Sequence, residues 1–138
     1  MTIEEIEKEI VEEFEIFGDD WEAKYEHLID LGKSLPLIKP EFKTEERIIK
    51  GCQSRVWLNS ELVEGNIVYT ADADAIITKG MVGLMIRVLS NHQAEKIVKA
   101  KLDFVDAIGL KEHLSPTRAN GLVSMINKMK MDALTLSR

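Results

Sequence analysis

The sequence contains one cysteine, Cys52, within the run GCQSRVWL at positions 51–58. A single cysteine cannot form an internal disulfide, and a structural zinc or an iron–sulfur cluster needs several thiolate or histidine ligands. One thiolate can, however, attack an electrophile or carry a group covalently. The alternative is an inert cysteine that packs as a small apolar side chain.

The neighbours of Cys52 favour a reactive loop over an inert position. Gly51 leaves space beside the sulfur for a reactive atom of another protein and lets the chain bend. Gln53 and Ser54 can satisfy backbone groups in such a loop. A reactive thiol also needs nearby cations or backbone N–H groups, and Arg55 is close in sequence. We therefore predict that Cys52 lies in a loop and performs chemistry there.

The bulk composition is that of an ordinary soluble globule, with 138 residues, 45% hydrophobic residues and 30% charged residues. The length predicts a single domain over residues 1–138. The net charge of −6 argues against nucleic acid as the main partner. No apolar run reaches the ~20 residues of a membrane span, and the acidic N-terminus differs from a signal peptide. We expect a cytoplasmic protein that binds neither nucleic acid nor membranes.

The hydrophobic periodicity predicts an α+β fold, with a small antiparallel sheet and helices before and after it packed on the sheet. An amphipathic helix is expected over residues 2–17 with a capping box at Thr2 and Glu5. A second helix begins at Asp19 or Asp20 and ends at Gly32. Residues 47–50 are predicted as a short strand, and residues 55–62 and 66–71 as a hairpin.

Helical spacing returns after the hairpin. It predicts a helix over residues 75–90, for which Asp74 is the favoured N-cap, and a short helix over 93–100. Residues 103–108 are expected to form a turn. A last helix is expected to begin at Ser115, an N-cap that precedes proline at the first helical position.

Five segments in order resemble the SufE family of sulfur-acceptor proteins. They are LGKSLP at 31–36, GCQS with VWL at 51–58, ADADAIITKG at 71–80, GL at 109–110, and HLSPTRANGL at 113–122. The resemblance covers about residues 21–130. The chain departs from the family pattern where Ala73 and Thr117 replace a common serine and where residues 91–92 replace a Ser-Gly turn. These departures lie outside the cysteine motif and concern partner preference.

The resemblance implies a persulfide carrier. SufE-like proteins accept sulfane sulfur from a cysteine desulfurase that depends on pyridoxal phosphate, stimulate that enzyme, and pass the sulfur to an iron–sulfur scaffold complex. Carried onto this chain, Cys52 is the acceptor. The expected partners are a desulfurase, SufS-like or related, and the scaffold. The pyridoxal phosphate belongs to the desulfurase, so no cofactor or metal is expected here, and the protein is expected to be a monomer or weak homodimer.

The resemblance also assigns supporting roles. It links Arg118 to the desulfurase contact and the acceptor site, where the residues alone leave open an ordinary surface arginine. For Asp74 it implies a contact that holds the cysteine loop closed, beside the N-cap role that the residues favour. Gly51, Gln53 and Ser54 are then support residues of the loop. Asn120 is a further support or packing residue on the last helix.

Two other functions stay open from the residues. One is a hydrolase or transferase with a Cys52–histidine pair, which needs a histidine within hydrogen-bond reach of the sulfur. The other is an adaptor that binds the desulfurase without carrying sulfur. An iron–sulfur scaffold is rejected because it needs several cysteines. If Cys52 carries a persulfide, we expect it to be partly sheltered, because an exposed persulfide reacts with oxidants and thiols.

Overall fold

A computed structural model describes residues 1–137, and within them the chain forms seven helices and one two-stranded antiparallel sheet. The predicted α+β fold, with helices before and after a small sheet, is confirmed. The elements are α1 (Ile3–Glu15), α2 (Trp21–Lys33), β1 (Val56–Val63), β2 (Asn66–Ala73), α3 (Ile76–Leu89), α4 (Ala94–Lys99), α5 (Phe104–Ala107), α6 (Leu110–His113) and α7 (Pro116–Leu136). Short 3₁₀ turns occupy Pro40–Phe42 and Glu45–Arg47.

The predicted capping box begins α1. Thr2 Oγ1 accepts a hydrogen bond from Glu5 N at 3.1 Å, and Glu5 Oε1 accepts one from Thr2 N at 3.0 Å. The helix ends at Glu15, two residues before the predicted end. These reciprocal bonds satisfy two of the backbone donors that a helix start leaves unpaired.

Helix α2 begins after Asp20, whose carboxylate accepts from Ala23 N at 3.1 Å, but it continues to Lys33. The predicted stop at Gly32 is therefore wrong. Gly32 is buried against α3, and a Cβ there would lie 2.8 Å from Gly80 N. The glycine serves close packing between the two helices, because any side chain would force their backbones apart.

The predicted hairpin is confirmed, with pairs running from Val56↔Ala73 to Val63↔Asn66. Its two turn residues, Glu64 and Gly65, have φ values of 51° and 85°. Positive φ at both positions gives a tight turn whose twist matches the strands.

The predicted strand over residues 47–50 is wrong. Glu45–Arg47 is a 3₁₀ turn, and Ile48 makes only an isolated bridge to Trp57. The segment lies between this turn and the bend at Gly51, so it runs beside β1 for too short a distance to form a ladder.

Helix α3 forms the centre of the core. Ten of its fourteen residues are buried, and it packs most extensively on α2 while also contacting β2, α1 and α7. The sheet is tied to α7 by Tyr69, whose buried hydroxyl donates to Met129 O at 2.7 Å. Within residues 1–137 no helix combines the length and the apolar character that crossing a bilayer requires. The loop that carries Cys52, the start of α3 and the first half of α7 meet around one cavity.

Candidate functional site

The cysteine loop, residues 50–55, leads into β1. Its base is closed by a hydrogen bond from Ile49 N to Val56 O at 2.8 Å. Gly51 has a φ of +96°, and a Cβ there would lie 2.4 Å from Ser124 Oγ on α7. Only glycine meets both conditions without strain, so Gly51 allows the loop to bend and to pack closely on α7.

Cys52 is a free, half-buried thiol that faces α7. Its Sγ donates a weak hydrogen bond to Gly121 O at 3.6 Å. Burial raises the pKa of the Cys52 thiol, because desolvation disfavours the charged thiolate. In this position the sulfur is a protonated thiol at neutral pH, and its partial burial agrees with the expectation that Cys52 is partly sheltered.

A cavity of about 290 Å³ lies beside Cys52. A water molecule occupies roughly 30 Å³ in the liquid, and one additional sulfur atom is of comparable size. The cavity therefore has room for the terminal sulfur of a persulfide. Polar and apolar residues of the loop, of the start of α3 and of the first half of α7 line it: Cys52, Gln53, Ser54, Ala75, Thr78, Met81, Thr117, Arg118, Gly121 and Met125.

Asp74 lies between β2 and α3 and contacts the end of the cysteine loop. Its Oδ1 accepts a hydrogen bond from Arg55 N at 2.9 Å, and its own N–H donates to Arg55 O at 3.1 Å. The N-cap of α3 is Ala75, so the predicted N-cap role of Asp74 is wrong. The carboxylate turns to the Arg55 amide instead, since aspartate accepts from whichever nearby backbone donor is free.

Arg118 lies on the first turn of α7, exposed, and lines the cavity together with Gln53. Its backbone N–H donates to Ser115 Oγ at 3.3 Å, which is the predicted N-cap. Among the residues that the structure describes, no carboxylate pairs with its guanidinium, which is free to face a partner. Asn120 is exposed two residues further on and does not line the cavity.

The histidines are all placed away from the cavity lining. His27 Nε2 lies 3.1 Å from Glu13 Oε1. His92 contacts Met1 O, and His113 stacks on Trp21 with ring centroids 3.7 Å apart. Within residues 1–137 no group of three or more potential ligand side chains is placed to hold a metal ion. The arrangement thus lacks the histidine that a Cys52-dependent hydrolase would need.

The structure adds residues that the sequence reasoning missed, above all Thr78, Met81 and Met125 in the cavity lining and Ser124 against Gly51. Two signals were available. Gly121 and Ser124 are small residues one helical turn apart, a spacing that permits close approach of another segment. Thr78 interrupts an otherwise apolar stripe of α3.

The family model described as "SufE: Fe-S metabolism associated domain" matches residues 8–133. The chain is 39% identical over 137 residues to "SufE-like protein 1, chloroplastic/mitochondrial" of Arabidopsis thaliana, covering 97% of this chain but 37% of the plant protein. It thus spans little more than a third of that relative. An uncharacterized SufE-like protein of Rhizobium meliloti is 37% identical over 130 residues, covering 91% of this chain and 92% of its own length. The expected cytoplasmic location stays a prediction, since the plant protein is named as organellar.

The fold also has a solved counterpart. The solution structure of a hypothetical protein from Thermus thermophilus matches with a TM-score of 0.79 over 95% of both chains, at 19% sequence identity. That likeness concerns the fold alone. The domain match over most of the chain and the relatives at 37–39% identity establish the family. The chain belongs to the SufE family, whose domain is associated with Fe–S metabolism.

Proposed function

We propose that this protein accepts sulfane sulfur from a cysteine desulfurase as a persulfide on Cys52, stimulates that enzyme, and passes the sulfur to an iron–sulfur scaffold complex. The observation that carries the proposal is the placement of the lone cysteine. Cys52 is held half-buried in a loop beside a cavity that can accommodate one more sulfur atom. Pyridoxal phosphate in this reaction belongs to the desulfurase.

The transfer step is a thiol–persulfide exchange. The Cys52 thiolate attacks the terminal sulfur of the partner's persulfide, by analogy with thiol–disulfide exchange. The new S–S bond forms at Cys52 while the partner's S–S bond breaks, and its electron pair leaves with the partner's cysteine sulfur. The proton lost by Cys52 balances that departing thiolate. No external oxidant or reductant is consumed, because the sulfane sulfur moves with its oxidation state unchanged.

The closed loop protects the cargo but slows the attack. Because burial raises the pKa of Cys52, the nucleophilic thiolate is scarce until the loop opens or the partner supplies positive charge. Arg118 is suited to a part in this step, since its exposed guanidinium at the cavity can pair with a partner carboxylate or stabilise a thiolate. Gly51, Gln53, Ser54 and Asp74 support the loop, and Asn120 contributes at the exposed face of α7.

The single cysteine also favours a carrier role. A second thiol nearby would attack the persulfide, form a disulfide and release sulfide. These 138 residues contain no second cysteine, so no thiol within them can reduce a persulfide on Cys52.

Intact mass measurement tests the proposal. The protein is incubated with a cysteine desulfurase and free cysteine, and in parallel with a small-molecule persulfide that needs no protein partner. The expected result is the mass of one added sulfur atom, absent in Cys52→Ser. If Cys52→Ser still stimulates the desulfurase and the natural chain gains no sulfur from either donor, the protein is an adaptor. Transfer onward is followed by adding the sulfur-loaded protein to an iron–sulfur scaffold with ferrous iron and an electron donor, because each sulfane sulfur needs two electrons to become cluster sulfide, and recording cluster absorbance.

A further inference from the structure

Besides the Asp74 contact, a hydroxyl pair holds the cysteine loop to α3. Ser54 Oγ donates a hydrogen bond to Thr78 Oγ1 at 2.9 Å. Ser54 is two residues after Cys52, and Thr78 is on the first turn of α3. Both side chains line the cavity beside the sulfur. The pair therefore joins the reactive loop to the central helix next to the thiol.

Thr78 stands out within α3. It is 7% exposed, and the other nine buried residues of the helix are apolar or glycine. Valine has the same shape and would suit this position in a purely packing role. The hydroxyl costs free energy to bury unless it is hydrogen-bonded, and Ser54 supplies that bond. The contact thus accounts for a polar group in the core helix.

The Arg55–Asp74 contact and the Ser54–Thr78 hydrogen bond restrain different parts of the loop. Arg55 exchanges two hydrogen bonds with Asp74 directly before β1, so it stays with the sheet when the loop moves. Ser54 lies on the Cys52 side of that point. Its bond to Thr78 must therefore break before the cysteine can swing away from Gly121.

We propose that Thr78 is a positioning residue that acts through Ser54 to hold Cys52 in the closed loop, and so sets how often the thiol is available to a partner. The role in sulfur transfer rests on the proposed function, but the closed state itself can be measured without a desulfurase. Because the chain has one cysteine, a bulky maleimide labels only Cys52. When the loop opens and closes many times before reaction, the labelling rate reports the open fraction.

Thr78→Val removes the hydroxyl and keeps the shape of the side chain. The loss of one partly buried hydrogen bond predicts labelling about three- to tenfold faster. Thr78→Ser keeps the hydroxyl and should label at close to the natural rate. Ser54→Ala removes the same hydrogen bond from the loop side. It tests the proposal even if Thr78→Val folds poorly. The double variant should label no faster than the faster single variant, because both changes remove one interaction.

Ser60→Ala is the matched control. It removes the 2.7 Å hydrogen bond from Ser60 Oγ to Asp132 Oδ2, two residues that do not line the cavity beside Cys52, and should leave labelling of Cys52 unchanged. Unchanged labelling in Thr78→Val, equal acceleration in Thr78→Ser, or acceleration in Ser60→Ala would each overturn the proposal.

Sulfur transfer supplies the second measurement. If the partner binds the open loop, Thr78→Val lowers the apparent KM for this protein as acceptor by the factor seen in labelling, with kcat unchanged. Faster labelling without a change in KM would overturn the role of Thr78 in transfer. If no variant accepts sulfur while the labelling differences persist, the proposed function is wrong and the contact that holds the loop stands.

Discussion

Replacing Gly51 by alanine tests whether the cysteine loop is packed on α7 as the structure shows. Gly51 has a φ of +96°, in the region that L side chains rarely adopt, and a new Cβ would lie 2.4 Å from Ser124 Oγ and 3.2 Å from Ser124 Cβ. Gly51→Ala therefore combines backbone strain with a steric overlap. Both are confined to the closed position of the loop, so opening the loop relieves them.

The free-energy cost of Gly51→Ala in the closed position is the sum of the backbone strain and the steric overlap. A left-handed conformation costs an L residue roughly 1–2 kcal/mol. Overpacking against a neighbouring side chain adds roughly 1–3 kcal/mol, at the lower end here because Ser124 is small and half-buried. A total of about 2–3 kcal/mol shifts loop opening by roughly 30- to 150-fold, since 1.36 kcal/mol corresponds to about tenfold. Gly51→Ala should then label with a bulky maleimide at least about thirtyfold faster than the natural chain.

Two further variants separate the contributions. Gly65→Ala introduces the same kind of strain at φ +85° in the hairpin turn, where no atom lies within 4 Å of the new Cβ. It should lower the free energy of unfolding by about 1 kcal/mol and leave the labelling of Cys52 unchanged. Ser124→Ala combined with Gly51→Ala removes the 2.4 Å overlap and should recover part of the closed state. Equal labelling of Gly51→Ala and Gly65→Ala would refute this packing of the loop.

Three further predictions concern Asp74, Arg118 and the pKa of Cys52. Asp74→Ala removes the bond to the Arg55 amide and should lower the free energy of unfolding by about 1 kcal/mol, with less effect on labelling than Thr78→Val; a larger effect would make Asp74 the main contact that holds the loop. Arg118→Ala should slow sulfur transfer by about tenfold or more while circular dichroism and labelling of the free protein stay unchanged, and normal transfer would remove Arg118 from the site. Because burial raises the pKa of Cys52, the folded state binds this proton more tightly than the unfolded chain does. The associated stability is present at neutral pH and is lost as the pH rises from the ordinary thiol pKa through the raised one. Denaturant unfolding across that range should show a loss that Cys52→Ala lacks.

Local signals in the sequence predicted much of the fold because they act over a few residues. The capping box at Thr2, the turn at Glu64 and Gly65, and the Ser115 cap each depend on neighbours within one turn. The helix end predicted at Gly32 is wrong because a glycine marks either a helix end or a close helix contact, and the buried backbone of Gly80 decides which. That contact joins residues far apart in sequence, so local pattern cannot supply it.

The candidate site also depends on contacts between residues far apart in sequence, which local pattern does not predict. The motif at positions 51–54 predicted that Cys52 lies in a loop, as the structure has it, but the cavity beside it depends on α3 and α7, which follow later in the chain. Asp74 looked like an N-cap because it precedes a helix. In the folded chain the nearest free donor is the Arg55 amide, which the hairpin register brings opposite Asp74. Thr78 acquires its role only when the cysteine loop is placed over the first turn of α3.

Under the proposed function, the closed loop meets two requirements that conflict in one thiol. A carrier needs a nucleophile when the donor arrives and an unreactive sulfur at all other times. The hydrogen bond from Ser54 to Thr78, the weak bond from Cys52 to Gly121 O and the burial of the sulfur together disfavour the open form by a free-energy difference between the two forms. A partner that binds only the open form must supply that difference from its own binding free energy. A persulfide on Cys52 would be protected by the same equilibrium, because small thiols would reach it through the same opening. Gly51→Ala should therefore lose a bound sulfur to glutathione faster than the natural chain does, by about the ratio of their labelling rates. Intact mass measured over time would show this difference. Equal loss from the natural chain and from Gly51→Ala would mean that the closed loop does not protect the persulfide.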